Sequence, residues 1–136
     1  MLSQSRDHNG EKGIKLTGMG LDYDFKSVYL LQHSIYPLVR LHSNKIIRVY
    51  NIKVYVSPSG SGWHVRFDVM APSYMTRREI ELIGGDDIGR HVVSLLRGDI
   101  ECSNLFEVKT KNGEHHAEKY APEITRRVKE QFKRGW

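Results

Sequence analysis

The sequence predicts an α+β domain: an antiparallel sheet with helices on one face. Three observations predict it. Ile52, Val54 and Val56 alternate with Lys53 and Tyr55; after Pro58-Ser59-Gly60-Ser61-Gly62, Val65, Phe67 and Val69 alternate with His64, Arg66 and Asp68. Two period-two runs around a Pro/Gly/Ser loop make a β-hairpin. Before it, Val28, Leu31, Ile35, Leu38 and Leu41 recur at helical spacings. After it, Thr76 and Glu79 form a capping box, the start of a second helix.

Residues 1–13 are polar and without period, and they read as a flexible tail. From Ile14 to Phe25 the chain is strand-like. Leu21, Tyr23 and Phe25 alternate with Asp22 and Asp24, which puts both aspartates on one face. Pro37 interrupts the helical stretch, and a helix capped by Ser34 with Pro37 in its first turn satisfies the rules best. The helix from Thr76 stops at Gly84-Gly85, and Asp86 or Asp87 caps another that runs to Gly98. Leu105 to Thr110 reads as a strand before a Lys111-Asn112-Gly113 turn. Pro122 to Phe132 reads as a basic helix. The organisation is then one domain over 14–121 and a basic helix or arm over 122–136. Strand, helix, strand, strand, helix, strand is the βαββαβ order of the ferredoxin-like or RRM-type fold. There the first and third strands are neighbours, and the face opposite the helices stays open.

Hydrophobic residues make up 39% of the chain, which allows a packed core. No apolar run nears the roughly 20 residues that span a bilayer, and the N-terminus lacks a signal peptide's apolar stretch. One cysteine, Cys102, excludes an internal disulfide. A cytoplasmic protein without a membrane partner is the expectation. The net charge is +5 and the pI about 9.4. No acidic residue stands between Asp24 and Asp68, where Lys26, Arg40, Lys45, Arg48, Lys53 and Arg66 fall. Arg126, Arg127, Lys129, Lys133 and Arg134 form a second basic cluster. Such asymmetry favours a polyanionic partner; the alternative is an uneven but inert surface.

In the expected fold, Asp22 and Asp24 share the open face with His64, Arg66 and Asp68; the alternative is that the aspartates are only exposed polar residues of a half-buried strand and His64 an ordinary surface histidine. Carboxylates two residues apart suit Mg²⁺ or Mn²⁺, and Asp68 adds a third. Arg66 and His64 suit a phosphate. Tyr55 and Trp63 bracket the hairpin loop, where aromatics beside Lys53 suit base stacking on a single strand. Alternatively, Trp63 anchors the turn in the core. Ser59 and Ser61 belong either to a phosphate cradle or only to a turn. Arg126, Arg127, Lys133 and Arg134 form a phosphate-tracking arm or a solvated helix face. His115-His116 with Glu114 and Glu118 suggests metal, but adjacent histidines on regular backbone point apart.

Leu21-Asp22-Tyr23-Asp24-Phe25 resembles the hydrophobic-Asp-hydrophobic-Asp motif of archaeo-eukaryotic-type primases and primase-polymerases. Ser59-Gly60-Ser61-Gly62-Trp63-His64-Val65 resembles their second motif, a small-residue loop ending in a histidine on a strand. The resemblance covers about the first half of the chain. It implies an RRM-type palm, metal-holding and catalytic roles for Asp22 and Asp24, and a nucleotide contact from His64. The family's third motif, a later aspartate, has no counterpart here; Glu107 and Asp99 are nearest. Gly85-Asp86-Asp87 through Arg90, with Asn104-Leu105-Phe106 and Lys109, is similar to small proteins of archaeal viruses and plasmids. The expectation is a nucleic-acid-binding protein of replication type. The alternatives are a metal-dependent nucleotidyltransferase or nuclease on the same face, and a protein-interaction domain that forms a homodimer.

Overall fold

The structure, a computed structural model, describes residues 4–6, 12–86, 96, 108–111 and 114–136. Its elements are β1 (Gln4–Arg6), β2 (Lys12–Tyr23), α1 (Val28–Ser43), β3 (Arg48–Val56), β4 (Trp63–Pro72), α2 (Arg77–Ile83), β5 (Val108–Lys111), β6 (Glu114–Ala117), β7 (Lys119–Tyr120) and α3 (Pro122–Arg134). The main sheet is antiparallel in the order β1-β2-β4-β3-β7. The first long strand therefore lies beside β4, as the sequence implies. The chain before Ile14, read as a tail, contributes β1, which pairs Gln4 with Ile14 and Arg6 with Lys12.

The hairpin forms as its alternation dictates. Val65, Phe67 and Val69 are buried toward the helices, with Val54 and Ile52 beside them and Leu21, Tyr23 and Met19 across. Gly62 closes the hairpin against β2. A Cβ there would lie 2.0 Å from the Tyr23 carbonyl oxygen, so only glycine fits.

Two bulges keep the flanking strands in phase with β4. Leu16 pairs with Val69 but Met19 with Phe67, and Tyr50 pairs with Asp68 but Lys53 with Arg66. Each bulge contains a left-handed residue, Gly18 (φ 65°) and Asn51 (φ 54°). The carboxylate of Asp68 holds both, accepting from Gly18 N at 3.0 Å and from Asn51 Nδ2 at 2.8 Å.

The first helix departs from the sequence expectation. Its cap is Ser27, whose Oγ accepts from Leu30 N at 3.1 Å, and Pro37 lies inside it while Ser34 is mid-helix. An interior proline costs about 3 kcal/mol. Burying Leu31, Ile35, Leu38 and Val39 on one face outweighs that, at about 1.5–3 kcal/mol per large side chain. The capping box of α2 forms as expected, with Glu79 N on Thr76 Oγ1 and Thr76 N on Glu79 Oε1.

Side chains of α2 and its C-terminal turn close the edge of β2 that faces away from β4. Arg77 donates to the carbonyls of Thr17 (2.7 Å) and Gly18 (3.1 Å), buried Glu81 accepts from Gly20 N (2.9 Å), and buried Asp86 accepts from Asp22 N. A βαββαβ sheet would place its fourth strand there. Instead, β5 pairs with β6 in a separate two-stranded ladder, with Val108 opposite Ala117. Side-chain capping occupies the carbonyls of Thr17 and Gly18 and the N–H groups of Gly20 and Asp22, which an added strand would otherwise compete for. The predicted helix to Gly98, apart from Leu96, which is helical and exposed, and the start of the strand at Leu105 lie outside the described residues, as do Asp87, Asp99, Cys102 and Glu107.

The segment read as a C-terminal arm is part of the core. Val128 and Phe132 are buried in it. Thr125 Oγ1 accepts from Val54 N at 2.9 Å, and Gln131 Nε2 donates to the Gln32 carbonyl at 2.8 Å, which locks α3 to β3 and α1. Among the described residues, no helix is long and apolar enough to cross a membrane.

Candidate functional site

Charge concentrates in two regions, one on the sheet's outer face and one at the end of the sheet beside the helix termini. The first is built on the polar phase of β2 and β4. Asp22 stands opposite His64, and Arg66 is two residues further along β4. Glu118, just before β7, reaches across both. Its Oε2 lies 2.8 Å from His64 Nδ1, and Arg66 donates to it through Nε (3.1 Å) and Nη2 (3.2 Å). His64 Nε2 is 3.5 Å from Asp22 Oδ1. The fork on Glu118 is the bidentate geometry that suits guanidinium best.

His64 is only 4% exposed, so it is no surface histidine. Burial, the largest single influence, pushes its pKa down. The hydrogen bonds and charges of Asp22 and Glu118 together outweigh burial, and the pKa ends above its ordinary value. With His64 charged, two cations meet two carboxylates. The cluster balances itself, and Arg66, read as a phosphate contact, is engaged by Glu118.

The expected metal set is not assembled. Asp24 lies one residue past the end of β2 and is exposed. Asp68 is four residues from His64 along β4, about 13 Å away, with both oxygens holding the bulges. His64 has a carboxylate at each ring nitrogen. Among the described residues, no three His, Cys, Asp or Glu side chains group as a metal site requires. This donor set does not fit Mg²⁺ or Mn²⁺, which take several convergent oxygens.

The aromatic and hydroxyl expectations divide. Trp63 belongs to the core phase of β4 and is buried, so the anchoring alternative holds and no base reaches its faces. Tyr55 is on the outer face, its ring 5.5 Å from that of Tyr120. Lys53 is exposed opposite Arg66. Ser59 and Ser61 bond each other (2.8 Å), while Gly62 N and Ser61 N donate to Ser57 and Ser59 hydroxyls. The loop thus uses much of its own hydrogen-bonding capacity.

The second region lies at the other end of the sheet, where α1 and α3 both finish. A cleft of about 680 Å³ is lined there by His42, Lys45, Arg48, Met70, Phe132, Lys133 and Arg134, among others. Four lining residues are cations, and among the described residues none of the lining is acidic. Arg134 also pairs with Glu130 at 2.6 Å, one turn back on α3. The two helix C-termini contribute about half a negative charge each, well below four positive ones. Arg126 and Arg127 lie elsewhere, beside a second cleft where Glu123 and Glu130 offset them; Arg126 pairs with Glu123 at 3.1 Å.

Lys45 ends α1 in a way its residue type disfavours. Ile46 N donates to the Leu41 carbonyl and Lys45 N to that of His42, the paired bonds of a Schellman cap. Lys45 occupies the left-handed position, with φ 61°. Glycine holds the left-handed end of α3, at Gly135. A left-handed non-glycine residue costs about 1–2 kcal/mol, yet here a lysine lines the cleft.

His42 forms the cleft's neutral floor. Its Nδ1 accepts from Val49 N at 3.0 Å, and its ring meets Phe132 edge-on at 5.4 Å. Burial first, then the charge of Arg48, holds its pKa below the ordinary value. On the rim, Tyr50 has Lys15 Nζ and the Arg48 guanidinium carbon each 5.7 Å from its ring centroid.

Sequence reasoning missed Glu118 as the partner of His64 and Arg66. It noted Lys45 and Arg48 only as members of an acid-free stretch, the one signal that marked them.

Fold and sites together define an α+β domain whose sheet carries a closed polar cluster at its centre and a basic cleft at its end. Set against protein-family models, curated proteins and solved structures, the chain matches none of them.

Proposed function

We propose that the domain binds nucleic acid, with the backbone phosphates in the cleft formed by Lys45, Arg48, Lys133 and Arg134. The observation that carries this reading is the convergence there of both basic stretches, with no acidic residue among the described residues of the lining. A solvated basic face needs no concavity, whereas a phosphate site gains from cations fixed on rigid elements around one. The strained Lys45 adds support, because stability alone would favour glycine at that position. The neighbouring order β2-β4-β3 supports reading the fold as a ferredoxin-like variant whose fourth-strand place is shared by β1 and by side chains of α2 and the turn after it. The sheet centre, whose His64 and Arg66 are held by Asp22 and Glu118, serves as a structural clasp.

Fluorescence anisotropy with labelled single-stranded DNA and RNA at two salt concentrations tests the reading. The expected result is binding that weakens steeply with salt. No binding to either at low salt would contradict it.

A further inference from the structure

We infer that the ligand is single-stranded and that Tyr50 is the platform on which one of its bases stacks. The inference rests on the cleft reading above. Of the other aromatics near the sheet's polar residues, Tyr55 and Tyr120 already lie against each other, and Trp63 is in the core. Tyr50 is half-buried on the outer face, and its ring contacts are with the cations Lys15 and Arg48. Arg48 both lines the cleft and lies over this ring. Met70, opposite Lys15 on one side and Arg48 on the other, continues the cleft floor toward it. Two residues along a strand span about 7 Å, so a backbone held at Arg48 brings its base over Tyr50. Stacking requires an unpaired base, since a duplex keeps its base faces inside the stack. The Asp68 carboxylate opposite Tyr50 is held by Gly18 and Asn51, so the rim keeps its positive flank on the Lys15 and Arg48 side.

The test compares a labelled oligothymidylate with an abasic oligomer of equal length and charge. The native chain should bind the oligothymidylate more tightly. Tyr50→Ala should lose about tenfold for it and nothing for the abasic strand, while Tyr50→Phe should keep the native preference. Equal native affinity for both strands, or a Tyr50→Ala loss shared by both, would overturn the stacking assignment and leave the cleft reading standing. No binding of either strand at low salt would sink the cleft reading and this inference with it.

Discussion

At the centre of the sheet face, His64 and Arg66 meet Asp22 and Glu118; at the sheet's end, Lys45, Arg48, Lys133 and Arg134 share a cleft with no carboxylate among its described lining residues, and Glu130 behind it pairs with Arg134. Both regions draw on the same acid-free stretch of sequence. The centre spends its charge inside the protein, on a contact that fastens the segment before β7 across β4. The cleft turns Lys45, Arg48 and Lys133 toward solvent, at the cost of a left-handed lysine, while Arg134 is shared with Glu130. A charged residue therefore says little about function until its partners are known. An internally neutralised cation stabilises the fold, and one without a lining carboxylate is available to a ligand.

Removing the clasp should have the largest effect. Glu118→Ala takes the partner from two cationic groups and should lower unfolding free energy by about 2–3 kcal/mol in urea titrations. Nucleic-acid affinity should not fall. A loss of affinity in folded protein would mean that the centre, too, touches the ligand.

The two histidines should split the pH dependence of stability in opposite directions. The folded pKa of His64 is raised, so its contribution is full below about pH 6.5 and is lost as pH rises through the folded value. The folded pKa of His42 is lowered, so its contribution is present above about pH 6.5 and is lost as pH falls through the folded value. Urea midpoints from mildly acidic to mildly alkaline pH should show His64→Gln flattening the alkaline decline only. A decline that survives this change would assign it elsewhere.

The smallest effect is the most specific to the cleft. Lys45→Gly relieves the left-handed strain and should raise stability by about 0.5–1 kcal/mol, after allowing for glycine's freer unfolded chain. The same change should weaken binding. Stability gained without affinity lost would make Lys45 a tolerated surface residue.

Local signals were legible in the sequence. The hairpin alternation and the Thr76–Glu79 box each specify their own element within a few residues. Pro37 misled because a local cost was outweighed by packing that the residues around it do not reveal. The bulges leave a trace, three-residue spacings from Leu16 to Met19 and from Val49 to Ile52, but Asp68 as their common anchor does not. The clasp was invisible because Glu118 lies 54 residues from His64 with no periodicity joining them. Half of the cleft could be read as an acid-free run. Its meeting with Lys133 and Arg134 depends on Thr125 and Gln131 docking α3, a tertiary fact.

The most direct measurement is the salt dependence of single-strand affinity for the native chain and for Lys45→Ala/Lys133→Ala. Both lysines are exposed, so stability should change by no more than about 0.5 kcal/mol per site. If each holds one phosphate, the slope of log affinity against log salt should shrink by about 1.4 for the pair, and low-salt affinity should fall. A double variant that binds with native affinity and native slope would contradict the assignment of the cleft as the phosphate site.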